Sequence, residues 1–201
     1  RGYINFNVPE PIIILDDTGF PIDIQKRKLG EAQHMIENFM LAANEAVTLF
    51  AHKHNVPFLY RVHDKPNKDK IKSLLVETKK LNFKINTDVD NIQPKDVAKW
   101  FADNKDNPNM DLINMLMLRT MAKACYETDN IGHFGLALEN YTHYTSPIRR
   151  YPDLLVARLF WMYIFDKESY TDGQRKELVE ELQQDCEMSS KNEIIAVECE
   201  R

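Results

Sequence analysis

Between Gly132 and Val156 this sequence concentrates groups able to do chemistry. They are the imidazoles of His133 and His143, the rings of Phe134, Tyr141, Tyr144 and Tyr151, the hydroxyls of Thr145 and Ser146, and the adjacent guanidiniums of Arg149 and Arg150. Thr145-Ser146-Pro147 predicts the opening of a helix, with hydroxyl residues able to cap it and proline near the first helical position, where a missing N–H costs nothing. The free N–H groups of such a helix start, with Arg149 and Arg150 in its first turn, make a place for an anion. The macrodipole is positive at that end and favours acidic neighbours, so two arginines there call for negative charge alongside. A bound anion would supply it, and so would Asp or Glu side chains from elsewhere in the chain; local chemistry leaves both readings open.

The elements that position this passage are mostly helical. Residues 3–6 and 11–15 read as strands, Asp16-Asp17-Thr18-Gly19 as a turn, and 20–24 as the returning strand of a hairpin. Over 29–52, Leu29, Ala32, Ile36, Phe39, Met40, Ala43, Ala46, Val47 and Phe50 recur at steps of three and four, predicting a helix with a broad apolar stripe. Residues 56–63 read as a strand whose Arg61 and His63 are structural rather than catalytic. Helices follow over about 68–80 and 94–103, then one opened by Asn107-Pro108 and rich in methionine. The spacing next predicts a helix from Ile148 to Phe165, and a last one capped by Thr171-Asp172. Pro152 is tolerable in or just after a first turn. Asp88-Val89-Asp90 lacks the glycine and terminal glutamate of a calcium loop and is not read as one. The expected fold class is α+β and helix-dominated, with strands over 1–26 and mostly helix over 27–201.

Composition narrows the partners. The chain has 201 residues, 43% hydrophobic and 28% charged, enough for a globular core. Its net charge of −5 is not that of a protein holding nucleic acid by bulk positive charge, so any nucleic acid would have to meet local clusters. Cys125, Cys186 and Cys199 form no CxxC pair, which argues against zinc or redox motifs and for reduced thiols. No apolar run approaches a membrane span, and a cytoplasmic location is expected. The chain begins inside a strand-like pattern and stops inside a helical one, as an excised segment would.

The string GHFGLALENYTHYTSPIRRYPDLLVARL, from Gly132 to Leu159, closely resembles the signature of the ribonuclease II/R family of exoribonucleases, on the side of its bacterial ribonuclease R members. Leu118-Arg119-Thr120-Met121, Ala124-Cys125-Tyr126, the helix around His34 to Ala46 and the strand Val56 to His63 resemble family landmarks too. The resemblance covers essentially the whole chain, as the later part of the catalytic domain, truncated at both ends. It implies a processive hydrolytic enzyme that degrades single-stranded RNA from its 3′ end to nucleoside 5′-monophosphates. It further implies that Arg149 neutralises the scissile or a neighbouring phosphate, with Arg150 a second phosphate contact or a structural pair. Ser146 would hold an adjacent phosphate. Glu37 would touch a ribose 2′-hydroxyl, a group DNA lacks. Phe6 would stack on the 3′-terminal base or else fill a core, and Glu200 would support substrate positioning.

The family works with paired magnesium ions held by aspartates, one activating water and one holding the leaving oxygen. No carboxylates here match that aspartate motif, so Mg2+ is expected only in the full-length enzyme, with ligands outside this chain and none within it. The segment alone is then expected to be inactive. His133 and His143 have the chemistry of general bases, and their roles stay open. Two departures from the family pattern stand out: Ala157 where histidine is common, and Asn5 where aspartate is. The full-length enzyme is expected to be a monomer, while the segment is expected to self-associate through interior surface left bare. Two other classes remain in view: a non-catalytic RNA-binding module, whose affinity would fall with salt, and a helical protein-interaction domain, which would expose an apolar patch and show no such affinity.

Overall fold

Asp16 makes the first turn of the chain: its Oδ1 accepts the Thr18 and Phe20 N–H groups, each at 2.9 Å, and closes a hairpin of β1 (Pro11–Leu15) and β2 (Pro21–Lys26). The computed structural model describes residues 3–4, 6, 11–27, 29–85, 91–165 and 170–200. Asn5, Asp88, Val89, Asp90 and Arg201 lie outside them. Pairing in the hairpin is antiparallel, with a register shift between Ile14 and Leu15. Both faces stay open: Ile13, Phe20, Ile22 and Ile24 are all exposed. Tyr3, Ile4 and Phe6 carry no strand; instead the Ile4 N–H donates to the Gly135 carbonyl at 3.0 Å.

The first helix, α1 (Glu31–Lys53), uses its apolar stripe only at one end. Leu29, Met35, Ile36 and Phe39 are exposed, and burial begins at Asn44, continuing through Thr48 and Ala51. The buried line therefore runs along a polar row of the helix, rotated from the predicted stripe. Thr48 satisfies its hydroxyl locally by donating to the Asn44 carbonyl at 2.8 Å.

The next helices sit where periodicity and caps put them. Asn67 caps α2 (Lys68–Lys79) by accepting the Asp69 and Lys70 N–H groups. Pro94 starts α3 (Pro94–Asp103), behind a reciprocal cap between Gln93 and Asp96. With α4 (Met110–Thr120) they surround one core in which Ile71, Val97, Trp100, Ile113 and Met117 are buried. A second core joins Ala51, Phe58, Leu59 and Val62 to Tyr126, Val156, Leu159 and Cys186. It is built from the end of α1, the antiparallel pair β3 (Tyr60–Val62) and β4 (Cys125–Glu127), and helices α5 (Tyr151–Phe160) and α6 (Asp172–Glu200). Of the predicted 56–63 strand, Tyr60–Val62 pair with the three residues of β4, and His63 adds a single parallel bridge to His133. Thr171 and Gln174 cap α6 reciprocally.

The signature helix starts later than its sequence suggests. Pro147 lies in a turn closed by the Arg149 and Arg150 N–H groups, which donate to the Ser146 carbonyl at 3.3 and 3.1 Å. The helix begins at Tyr151, with Pro152 in its first turn. A helix running on from Ile148 would put Pro152 four residues in, costing a backbone bond and a ring clash with the Ile148 carbonyl. Beyond Phe160 the winding loosens to a π-helical turn over Trp161–Phe165.

Gly135 lies where the two cores meet. Its N–H donates to His63 Nδ1 at 2.8 Å, while His63 Nε2 lies 2.8 Å from the Ala122 carbonyl. A neutral ring with its proton on Nε2 satisfies both contacts. A Cβ on Gly135 would come within 2.9 Å of that same Nδ1. Gly135→Ala should therefore lower stability by roughly 1–3 kcal/mol, the usual cost of overpacking and of a strained buried hydrogen bond. Chemical denaturation should show the loss; an unchanged midpoint would mean the ring moves aside freely.

Candidate nucleic-acid interface

The passage from Gly132 to Arg150 has little regular structure and is held by its neighbours. Gly132 takes φ +80° and Ala137 φ 55°, and the His133 and Leu138 backbones bond one another across the loop between. Further on, the Arg61 N–H donates to the Tyr141 carbonyl at 2.9 Å, and the buried Thr142 hydroxyl donates to the Leu59 carbonyl at 3.0 Å. Asn44 of α1 holds the strip twice. Its amide nitrogen donates to the Tyr141 hydroxyl at 3.1 Å, and its oxygen accepts the Tyr144 N–H at 3.0 Å. Asn44 is buried because its amide finds both of these partners, as buried amides do.

Behind the strip the half-buried imidazoles of His133 and His143 join His63, Tyr126 and Tyr141 in an aromatic stack. His133 lies 5.1 Å from His63 and 5.3 Å from Tyr141 between ring centres, and Tyr141 lies 5.7 Å from His143. The Tyr126 hydroxyl is 2.8 Å from His143 Nδ1. Burial pushes both histidines down to about 3, helped at His133 by His63 and Arg61, and at His143 by Arg150 and Arg61. His63 is lowered as well, chiefly by burial. All three are neutral near pH 7 and engaged inside the stack.

In front of it opens a groove of about 630 Å3, lined among others by Tyr126, Arg149, Arg150, Tyr151, Glu193 and Glu200. Arg61 fixes its far wall. Its guanidinium takes both Glu193 oxygens, at 2.7 and 2.9 Å, and lies 4.6 Å from the Tyr126 ring centre. That bidentate pair ties β3 to α6 and accounts for Arg61 as a structural group. The two signature arginines part company. Arg150 Nη2 donates to Asp153 Oδ1 at 2.7 Å, and the same oxygen accepts the Ser146 N–H at 2.7 Å. Asp153 is fully buried. The Arg149 side chain is exposed and has no hydrogen bond or ion pair among the described residues.

The structure thus brings Arg149, Arg150 and Glu200 to one groove and ties Ser146 to it through Asp153. Glu37 is elsewhere, exposed on α1 with His34 Nδ1 at 3.4 Å. The Phe6 ring packs edge-on against Phe101, with centroids 5.7 Å apart, beside the first core. Cys125 and Cys186 have thiols pushed up by burial, Cys186 to about 12, as packing residues. Among the described residues no three His, Cys, Asp or Glu side chains converge to hold a metal ion. Their donor set therefore does not fit a magnesium pair. No helix among them is long and apolar enough to cross a membrane. The sequence marks neither Asp153 nor the pairing of Glu193 with Arg61, because their partners are fixed only by the fold.

Comparison with known proteins gives this geometry a family. The model of the RNB domain matches residues 1–166. Ribonuclease R of Ureaplasma parvum is 55% identical over an alignment covering 100% of this chain and 29% of its own length. Apo ribonuclease R of Mycoplasma genitalium superposes with a TM-score of 0.92 at 37% identity, over 100% of this chain and 31% of that one. The same enzyme in complex with ribose-methylated single-stranded RNA gives 0.91 at 37% identity, over the same shares. The chain spans less than a third of either relative.

The half-buried imidazoles make stability depend on pH in one direction. Unfolded imidazoles protonate near pH 6.5, while folded His133 and His143 stay neutral down to about 3. Stability is therefore full above pH 6.5 and is lost as pH falls toward 3, by up to about 1.4 kcal/mol per pH unit for each ring. Urea midpoints should drop steadily from pH 7 to 5, and His143→Gln should flatten that slope. A midpoint constant over this range would mean that the stack does not hold its imidazoles neutral.

Proposed function

This chain belongs to the RNB-domain family, with ribonuclease R among its relatives, and on that premise we propose that it is the later part of the catalytic domain of a processive 3′-to-5′ exoribonuclease. The whole protein would degrade single-stranded RNA to nucleoside 5′-monophosphates, in the cytoplasm and as a monomer. This part would contribute the wall that holds the sugar–phosphate chain. The observation that carries the reading is Arg149: an exposed guanidinium beside an open groove, next to an arginine already neutralised by Asp153. A guanidinium placed there is free to meet a phosphate and to offset the charge that builds on it during hydrolysis. Losing one preorganised donor of this kind costs roughly 100- to 1000-fold in rate, by analogy with oxyanion holes.

The other expected contacts take subordinate places. Ser146 would assist at a neighbouring phosphate, and Glu200 would position substrate from the rim of the groove. Glu37 would accept from a ribose hydroxyl, and Phe6 would stack on the terminal base. Magnesium would be held by carboxylates of the longer protein, where it would activate the attacking water. The open apolar faces of the hairpin and of α1 give the isolated chain a reason to self-associate.

Binding to a fluorescent single-stranded RNA, followed across a salt series, tests the proposal. Arg149→Ala should weaken binding roughly tenfold or more, as for a charged hydrogen bond. It should also reduce the salt slope by about 0.7, one phosphate contact's worth on a single strand. The 201-residue chain should bind RNA but release no mononucleotides with magnesium present. Binding that ignores both salt and Arg149 would overturn the reading, and mononucleotide release would overturn the placement of the metal site.

A further inference from the structure

We infer that Asp153 is the positioning residue of the groove, the group that makes Arg149 rather than Arg150 the one that meets a phosphate. The inference rests on the reading of Arg149 given above and goes a step further into how that residue is presented. Asp153 stands in the first turn of α5, where the helix dipole favours a carboxylate. One oxygen, Oδ1, takes both the Ser146 N–H and Arg150 Nη2, each at 2.7 Å, so both ends of the turn over 146–150 are anchored to a single buried atom. Between these anchors the chain has nowhere to go but outward. Pro147, Ile148 and Arg149 are all exposed, Ile148 completely.

Two further features fit a dedicated clamp. Asp153 Oδ2 and Arg150 Nε are buried without hydrogen-bond partners. The Arg150 guanidinium is thus held end-on, by one nitrogen, where a fork-to-fork pair would have satisfied both orphans. Oδ1 is shared with the Ser146 N–H, and through that shared oxygen the carboxylate fixes the turn. The clamp also consumes Arg150's charge. Arg149 is left as the cation the turn presents, in a chain whose net charge of −5 gives RNA no other general attraction.

A double-mutant cycle separates this from a merely structural role. RNA affinity and its salt slope would be measured for wild type, Arg149→Ala, Asp153→Ala and the double variant, with thermal melts confirming the fold. Removing Asp153 makes the chain less negative and frees Arg150, so simple electrostatics predicts tighter binding. Positioning predicts the reverse: a loss of roughly tenfold, within the range of coupling between neighbours, with the salt slope falling by only one contact. In the Asp153→Ala background, Arg149→Ala should then cost less than about twofold. If Asp153→Ala does not fold, Arg150→Met with Asp153→Leu takes its place, since that pair leaves no charge buried and still removes the acceptor for Ser146. An Arg149→Ala effect that keeps its full size without Asp153 overturns the inference and spares the reading of Arg149. An Arg149→Ala variant that binds like wild type removes both.

Discussion

The contact on which the groove depends is the bidentate pair between Arg61 on β3 and Glu193 on α6, formed across 132 positions of sequence at 2.7 and 2.9 Å. The two-stranded sheet β3–β4 is too short to hold a 29-residue helix by itself. Arg61 supplies a fixed fork, Tyr126 offers its ring face to the same guanidinium, and the Tyr126 N–H donates to Ser190 of α6 at 2.9 Å. Charge, ring and backbone thus lock sheet to helix at one place. Glu193 is paired from behind and Glu200 lies seven residues on, two turns along α6, so the pair determines which acidic groups face the groove.

Polar groups hold the signature strip, and the apolar cores only flank it. Asn44, Thr142, His63 and Asp153 are all buried, and each makes at least one hydrogen bond to a backbone group of, or next to, the strip. A loop without ladder bonds has to satisfy its N–H and C=O groups in this way, or it would not stay inside. The same requirement keeps His63, His133 and His143 neutral. Charging any of them would cost desolvation in a space already crowded by Arg61 and Arg150.

Periodicity and caps made the helices legible, and the family resemblance made the signature legible. Thr171-Asp172 marks a helix start by local chemistry alone, and α6 begins there, while α2 and α3 begin where periodicity puts them. The β1–β2 turn could likewise be read from Asp16-Asp17-Thr18-Gly19. Three things could not be read in this way. β4 is three residues long and owes its extended form to its partner β3, so it has no pattern of its own. The stripe of α1 is apolar over residues that the fold leaves exposed, so periodicity identified the helix and misjudged its buried side. The start of α5 was set by Pro152, although Pro147 looks like the better opener until the Asp153 contact is known.

That last difference changes the chemistry of the arginine pair. Had the helix begun at Pro147, both guanidiniums would have sat in its first turn, against the macrodipole, and the two would have been interchangeable as anion ligands. Starting at Tyr151 places Asp153 in the first turn instead, with the carboxylate where the dipole favours it and within reach of Arg150. A buried carboxylate with one cationic partner is stable only while that partner stays, since breaking a buried pair leaves a charge stranded. Arg150 is therefore committed by the same step that lets the helix start. Arg149 is one residue away on the same turn, outside the clamp and exposed. Two adjacent residues of identical type so acquire different work, decided by which of them the first carboxylate of the helix can reach.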